Sequence, residues 1–489
     1  MKRLILSSIA LLSLSLSAQT DKETIANTIS KEKIEGHIYF LADDLLKGRA
    51  TATPELKIAA SYLANQLRGY GVKPNPKTGT YYQPLALQEK HAPETVSLTL
   101  NGKTLKKTIV LEGGGLKTVE NSIFLGYGTE ADFKGKDLKG KVVIVLAGKE
   151  GAGDINTAFS LMNAKQKLAK DQGAIGVIEL VESTEDMWTR LEDYFSHGGL
   201  SVSNGEVKKP DFTYAWSLDQ GATLQRGLKG KQNVSAAIEI SLPKMVNKYT
   251  QNVIGVVEGT DPKLKNEYII YSGHYDHVGI GAPDATGDTI YNGARDNAVG
   301  TTTVLSMAEN LAKYPTKRSA LFILFTGEES GLLGSKYYVE NPVLPLNQMV
   351  YCFNSDNAGY NDTSIATIIG LPRTTAAQHI KDAAKAYGIT AVDDPAPEQG
   401  LFDRSDNVSF AKKGIPSPTF SLGFTSFSGD VTKYYHQAGD EADTLDYDYL
   451  YNFFRAYVMA GRKIGNDPKT PVWTAGDKYE AASKKLYKN

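Results

Sequence analysis

Cysteine is almost absent from this sequence: Cys352 is the single one among 489 residues. No internal disulfide can form, so stability must come from a packed core and from any metal the chain binds. Cys352 lies in the apolar run Met349 to Phe353 and reads as a small buried residue, not a nucleophile. No cysteine stands directly after Ala18 at the end of the N-terminal apolar stretch, which argues against a lipid anchor. An excess of one charge is also missing. The 54 Lys and Arg balance 55 Asp and Glu, for a net charge of −1, so no basic surface for nucleic acid is indicated. Beyond the N-terminus no apolar run approaches the roughly 20 residues of a membrane span. Three hydrolase and nucleotide signatures are lacking as well: His-Glu-x-x-His, Gly-x-Ser-x-Gly and a Walker loop.

What is present is ordinary globular composition, 41% hydrophobic and 22% charged, at a length that accommodates roughly two to four domains. Lys2 and Arg3 precede the apolar and Ser-rich stretch Leu4 to Ser17, and Ala18 ends it. Residues 1–18 are therefore expected to be a signal peptide and the protein to be secreted or periplasmic, although Leu16 is not the small residue usually found two positions before such a cleavage site.

Residues 19–92 are expected to be helical. Thr53 is a candidate N-cap with Pro54 at the first helical position. Leu56, Ala60, Leu63 and Leu67 then recur at helical spacing up to Gly69 and Gly71. Residues 93–245 read as a β-rich insert with short alternating segments and one helix, about Ala158 to Gln172. From 246 to 465 continuous apolar strands alternate with helices: Tyr268 to Ser272, Thr301 to Leu311, Ala320 to Thr326, Leu332 to Val339, Met349 to Asn354. This predicts an α/β fold whose largely parallel sheet is covered on both faces. Residues 466–489 are expected to form a tail packed on the surface.

Five short segments at the ends of these runs carry carboxylates and imidazoles. They are His274-Tyr275-Asp276-His277, Arg295-Asp296-Asn297, Gly327-Glu328-Glu329-Ser330, Ser355-Asp356-Asn357 and Tyr435-His436. Each alone has a plain explanation, such as a helix N-cap or acids near a helix N-terminus. Together, in order and mostly at strand ends where α/β sheets gather ligands, they match the needs of two divalent metals sharing one bridge. Asp296 is the candidate bridge, with His274 and Asp356 on one metal and Glu329 and His436 on the other. Zinc suits this donor chemistry. Asp276, two residues after His274 in an extended segment, would accept from that imidazole and fix its tautomer. Glu328 would act as general base. His277 is not needed by this set, and reads as a supporting or satisfied neighbour.

At these residues the chain resembles metallopeptidase family 28, the co-catalytic di-zinc aminopeptidases, from the His37-to-Arg49 segment to about Leu445. The resemblance implies a zinc-exopeptidase fold and two zinc ions. It implies His274, Asp296, Glu329, Asp356 and His436 as metal ligands, Glu328 as general acid/base, and Asp276 as the carboxylate orienting His274. It further implies that Arg404 contacts the substrate near its carbonyl and that Tyr435 stabilises an oxyanion. The expected activity is removal of N-terminal residues from peptides. The alternatives are a carboxypeptidase or dipeptidase of the same family, a one-metal glutaminyl cyclase, or a non-catalytic receptor-like ectodomain. The insert resembles a protease-associated domain through Asp137-Leu138-Lys139-Gly140-Lys141 before Val142 to Leu146, and Gln172-Gly173-Ala174 before a second apolar run. Two departures from the family pattern stand out: Arg295 beside Asp296, and Asn357-Ala358 after Asp356. The motifs specify neither side-chain preference nor oligomeric state.

Overall fold

The computed structural model describes residues 20–119, 121–196, 199–203, 205, 210–229 and 233–488. The expected signal peptide, 1–18, lies outside the described residues. The chain forms two units, one of residues 1–85 with 250–489 and one of residues 86–249.

The first unit is built on strands β1 (Pro243–Val257, from Thr250 onward), β2 (Tyr268–His274), β3 (Ser319–Phe325), β4 (Met349–Ser355), β5 (Ile365–Ile369), β6 (Thr390–Asp393) and β7 (Thr419–Leu422). Their order in the sheet is β1-β3-β2-β4-β7-β5-β6. β3, β2, β4 and β7 are mutually parallel, and β1 and β5 join antiparallel. Helices α1 (Lys31–Leu41), α2 (Pro54–Tyr70), α3 (Gly300–Lys313), α4 (Leu333–Glu340), α5 (Ala377–Ala386), α6 (Asn407–Lys413), α7 (Tyr447–Asn466) and α8 (Glu480–Tyr487) follow in chain order.

The central strands are apolar throughout because both faces are covered. Ile269, Tyr271, Ala320, Phe322 and Leu324 pack into the core shared with α1, α2, α3, α5 and α7. Their neighbours Ile270, Leu321, Ile323 and Phe325 enter a second core with Tyr338 of α4 and Phe410 of α6. The period-2 alternation of a strand thus distributes one continuous apolar run between two cores. Helix α2 begins as expected, with the Thr53 hydroxyl accepting from Leu56 N at 3.2 Å, and ends at Gly71 in the left-handed region. The expected surface tail packs more deeply at Trp473, which is buried against Phe402 and whose indole N–H donates to Gly414 O at 3.0 Å.

The second unit holds a six-stranded sheet. Its inner strands, Ser122–Phe124, Val142–Leu146, Gly176–Val181 and Thr213–Leu218, are parallel. An antiparallel four-stranded sheet contains Val96–Leu100 and Ala236–Ile240. Glu179 is buried in this unit. It accepts from Lys165 Nζ at 2.5 Å, Trp216 Nε1 at 2.6 Å, Tyr214 OH at 3.0 Å and Gly148 N at 3.3 Å.

Candidate metal centre

The parallel strands deliver their carboxyl ends to one place. His274 is the last residue of β2, Glu328 and Glu329 follow β3, and Asp356 follows β4. Asp296 enters from an irregular helical turn, Ala294–Val299, that leads into α3. His436 comes from the loop after a short helix, Gly429–Thr432, with φ 53°.

His274 Nε2 lies 3.3 Å from Asp296 Oδ1 and 3.2 Å from Asp356 Oδ1. His436 Nε2 lies 3.3 Å from Asp296 Oδ2 and 3.1 Å from Glu329 Oε2. The two oxygens of Asp296 therefore face two different imidazoles. Among the described residues three donor groups are close enough to hold an ion: His274 with Asp296 and Asp356, His274 with Glu328 and Glu329, and His277 with Asp296, Glu329 and His436. His277 Nε2 is buried without a hydrogen-bond partner, whereas His436 Nε2 faces Asp296 Oδ2 and Glu329 Oε2. Glu328, Arg404 and Tyr435 line the same pocket as His274, Asp296, Glu329 and Asp356.

Burial alone raises a carboxyl pKa and lowers that of an imidazole; neighbours decide which way each group goes here. At Asp296 burial is outweighed by hydrogen bonds from His274 and His436, which hold it well below the usual carboxylate range. Glu329 is likewise buried, yet its contacts with His277 and His436 bring it down to about 2. Burial lowers His436, but Asp296 and Glu329 lift it to about 10. Glu328 moves the other way: burial raises it strongly, His274 offsets only part of this, and Asp356 raises it further.

Asp276 is placed differently from the sequence expectation. β2 ends at His274, so the two side chains no longer share the face of an extended strand. His274 Nδ1 donates to the Asp276 main-chain carbonyl at 3.1 Å, while the carboxylate is 3.8 Å away. The carbonyl thus leaves Nε2 facing Asp296 and Asp356. The Asp276 carboxylate instead accepts from Thr51 Oγ1 at 2.8 Å and from Glu328 N at 3.2 Å. Arg404 Nη2 donates to Tyr435 OH at 3.3 Å, and Tyr435 stacks on His436 with centroids 4.0 Å apart.

Four supports have no role assigned from the sequence. Asn297 donates to Ser355 O at 3.0 Å and accepts from Asn357 Nδ2 at 3.0 Å, while Asn357 accepts from Leu422 N at 2.9 Å. One departure from the family pattern, Asn357, therefore ties the ends of β4 and β7 to the turn that carries Asp296. Gly300 sits where a Cβ would meet Ser355 O at 2.4 Å, so only glycine lets α3 approach β4. The other departure, Arg295, turns away from the carboxylate cluster. It pairs with Asp440 at 3.0 Å and lies 3.7 Å from the Tyr434 ring centroid, and Asp440 also accepts from Asp296 N at 3.1 Å. Arg49, fully buried, donates to the carbonyls of Leu41, Tyr275, Asn292 and Gly293.

Residues 252–460 match the family model described as peptidase family M28. Over these residues the chain is similar to peptidase family M28. Among curated M28-like relatives, aminopeptidase YwaD of Bacillus subtilis (strain 168) is 27% identical over 356 residues, 71% of this chain and 67% of that one. The probable leucine aminopeptidase 2 of Aspergillus oryzae is 22% identical over 372 residues, 69% and 65% of the two chains. The chain thus spans about two thirds of the length of these relatives. Among solved structures, an aminopeptidase from Aneurinibacillus sp. strain AM-1 superposes with a TM-score of 0.60 at 22% identity, covering 94% of this chain and 99% of that one. A zinc aminopeptidase from Bacillus subtilis gives 0.51 at 19% identity, covering 90% and 96%. These likenesses show that the chain shares the fold of these aminopeptidases. Among its described residues no helix is long and apolar enough to cross a membrane.

Proposed function

We propose that this chain is a zinc aminopeptidase that hydrolyses the first peptide bond of peptides with a free amino terminus. The observation that carries it is the shared Asp296. Its two oxygens lie against separate imidazole–carboxylate sets, His274 with Asp356 and His436 with Glu329. This donor chemistry fits two zinc ions, one held by His274, Asp296 and Asp356 and the other by Asp296, Glu329 and His436. Zinc bound there supplies Lewis acidity and makes water acidic enough to attack near neutral pH.

The protein residues do the rest. Glu328, raised by burial, takes the proton of the attacking water and returns it to the leaving amine. Tyr435, held by Arg404, is placed to donate to the developing oxyanion. Asp276 fixes His274 through its carbonyl and holds the Glu328 main chain through its carboxylate. The free amine of the substrate is received by the acids Glu328 and Asp356. Ile369, Leu401, Phe424 and Phe427 on the pocket wall favour an apolar first side chain. Arg404 is the feature that favours the second reading, a carboxypeptidase, since a guanidinium can take a terminal carboxylate.

The relation of residues 93–245 to protease-associated domains rests on their sequence pattern, as export rests on Lys2 to Ala18. The deciding experiment is hydrolysis of aminoacyl-arylamides and N-blocked peptides, with chelator and with zinc restored. Chelator-sensitive cleavage of free-amine, leucine-like substrates is expected. Cleavage from the carboxyl end alone would support the second reading, and none with two metals bound would indicate a binding protein.

A further inference from the structure

His277 is the residue of the donor cluster that the two-metal scheme leaves without a task. It is 1% exposed. Its Nδ1 lies 2.9 Å from Glu329 Oε1, while the other oxygen, Oε2, lies 3.1 Å from His436 Nε2. The two oxygens of Glu329 are thus divided between two imidazoles. The ring is fixed from several sides. Its main-chain N–H donates to Arg49 O at 3.2 Å, and its ring stands at 75° to that of His436, 5.5 Å away. Gly293 beneath it, at φ 62°, would place a Cβ 2.6 Å from the imidazole, so the ring occupies space that only glycine leaves free.

We propose that His277 is a positioning residue for one metal: its Nδ1–H holds Glu329 Oε1, so that Glu329 presents only Oε2 to the pocket it forms with Asp296 and His436. The inference rests on the two-zinc reading above. Its consequence is a difference between the two sites. Glu329 is oriented before metal arrives, and that pocket binds the more tightly. Loss of a hydrogen bond that orients a ligand typically weakens metal affinity about 10–100-fold.

The test is zinc titration of the metal-free protein against a chromophoric chelator, with circular dichroism confirming the fold of each variant. Wild type should bind two equivalents. His277→Ala should weaken the tighter one about 10–100-fold and leave the other within twofold. His277→Asn, whose amide nitrogen takes the place of Nδ1, should restore it. His277→Gln, which fills the volume but carries its donor one atom further out, should behave like Ala and decides the matter if the alanine variant does not fold. Two wild-type equivalents with unaltered affinity in Ala or Gln would overturn this inference alone. Restoration by Gln but not Asn would also overturn it, pointing to the far nitrogen. Fewer than two equivalents in wild type would overturn the two-zinc reading together with it.

Discussion

The molecule buries acids in two ways. In the second unit Glu179 is fully enclosed, and its charge is answered by the Lys165 ammonium, two aromatic donors and a main-chain N–H. In the first unit Asp276, Asp296, Glu328, Glu329 and Asp356 crowd around three imidazoles, and the buried Arg49 beside them spends its donors on main-chain carbonyls. Burying a charge is costly unless it is paired and hydrogen-bonded. The first arrangement is complete in itself and serves the fold. The second has more negative charge than its own donors answer, which is the condition for recruiting cations.

Substitutions should separate the two cases. The largest effect is expected at Glu328, where Glu328→Gln should lower kcat by about 10²–10⁴-fold with zinc content unchanged by elemental analysis; full activity would refute its role. In the complete cluster, Lys165→Met should cost about 3–5 kcal/mol in denaturant unfolding and leave metal content untouched. A loss of zinc there would erase the distinction between the two regions.

His37 tests a third kind of buried polar contact. Its Nδ1 and Nε2 meet Tyr62 OH at 2.7 Å and Tyr70 OH at 3.0 Å, and burial lowers its pKa to about 4. The ring is neutral when folded, whereas the unfolded chain protonates near 6.5. Its contribution is therefore intact above pH 6.5, falls as pH drops from 6.5 towards 4, and amounts to roughly 3 kcal/mol at most. His37→Gln should flatten that part of the stability profile. The smallest effect on the metal centre is expected at Arg295. Removing its guanidinium should weaken zinc binding about 10-fold, and because it leaves Asp440 buried without its cation it should also cost about 3–5 kcal/mol in unfolding.

The central sheet was legible because strands covered on both faces are written as unbroken apolar runs, as at Tyr268 to Ser272 and Ala320 to Thr326. β6 and β7 were not legible. Thr390–Asp393 is short and partly exposed, and Thr419–Leu422 follows Pro416 and Pro418, which break any local pattern. At the site, the residues singled out by motif and order are those the fold brings together: His274, Asp296, Glu328, Glu329, Asp356 and His436. What the sequence hid was how they are supported. The Asp276 carbonyl, the Asn297–Asn357 pair and the Arg295–Asp440 pair each depend on which chain segments become neighbours, and spacing along the chain does not encode that. His277, one residue beyond Asp276, looked dispensable for the same reason.

Arg49 lies some 200 positions ahead of the family match at residues 252–460, yet its side chain gathers carbonyls from Leu41, from Tyr275 beside His274, and from Asn292 and Gly293 just ahead of Asp296. A fragment cut to the matched residues would retain every candidate ligand and lose the cation that joins two ligand-bearing segments. The candidate metal centre is therefore not portable as the stretch in which its motifs are found. Its outer boundary is drawn by an arginine from the other end of the chain.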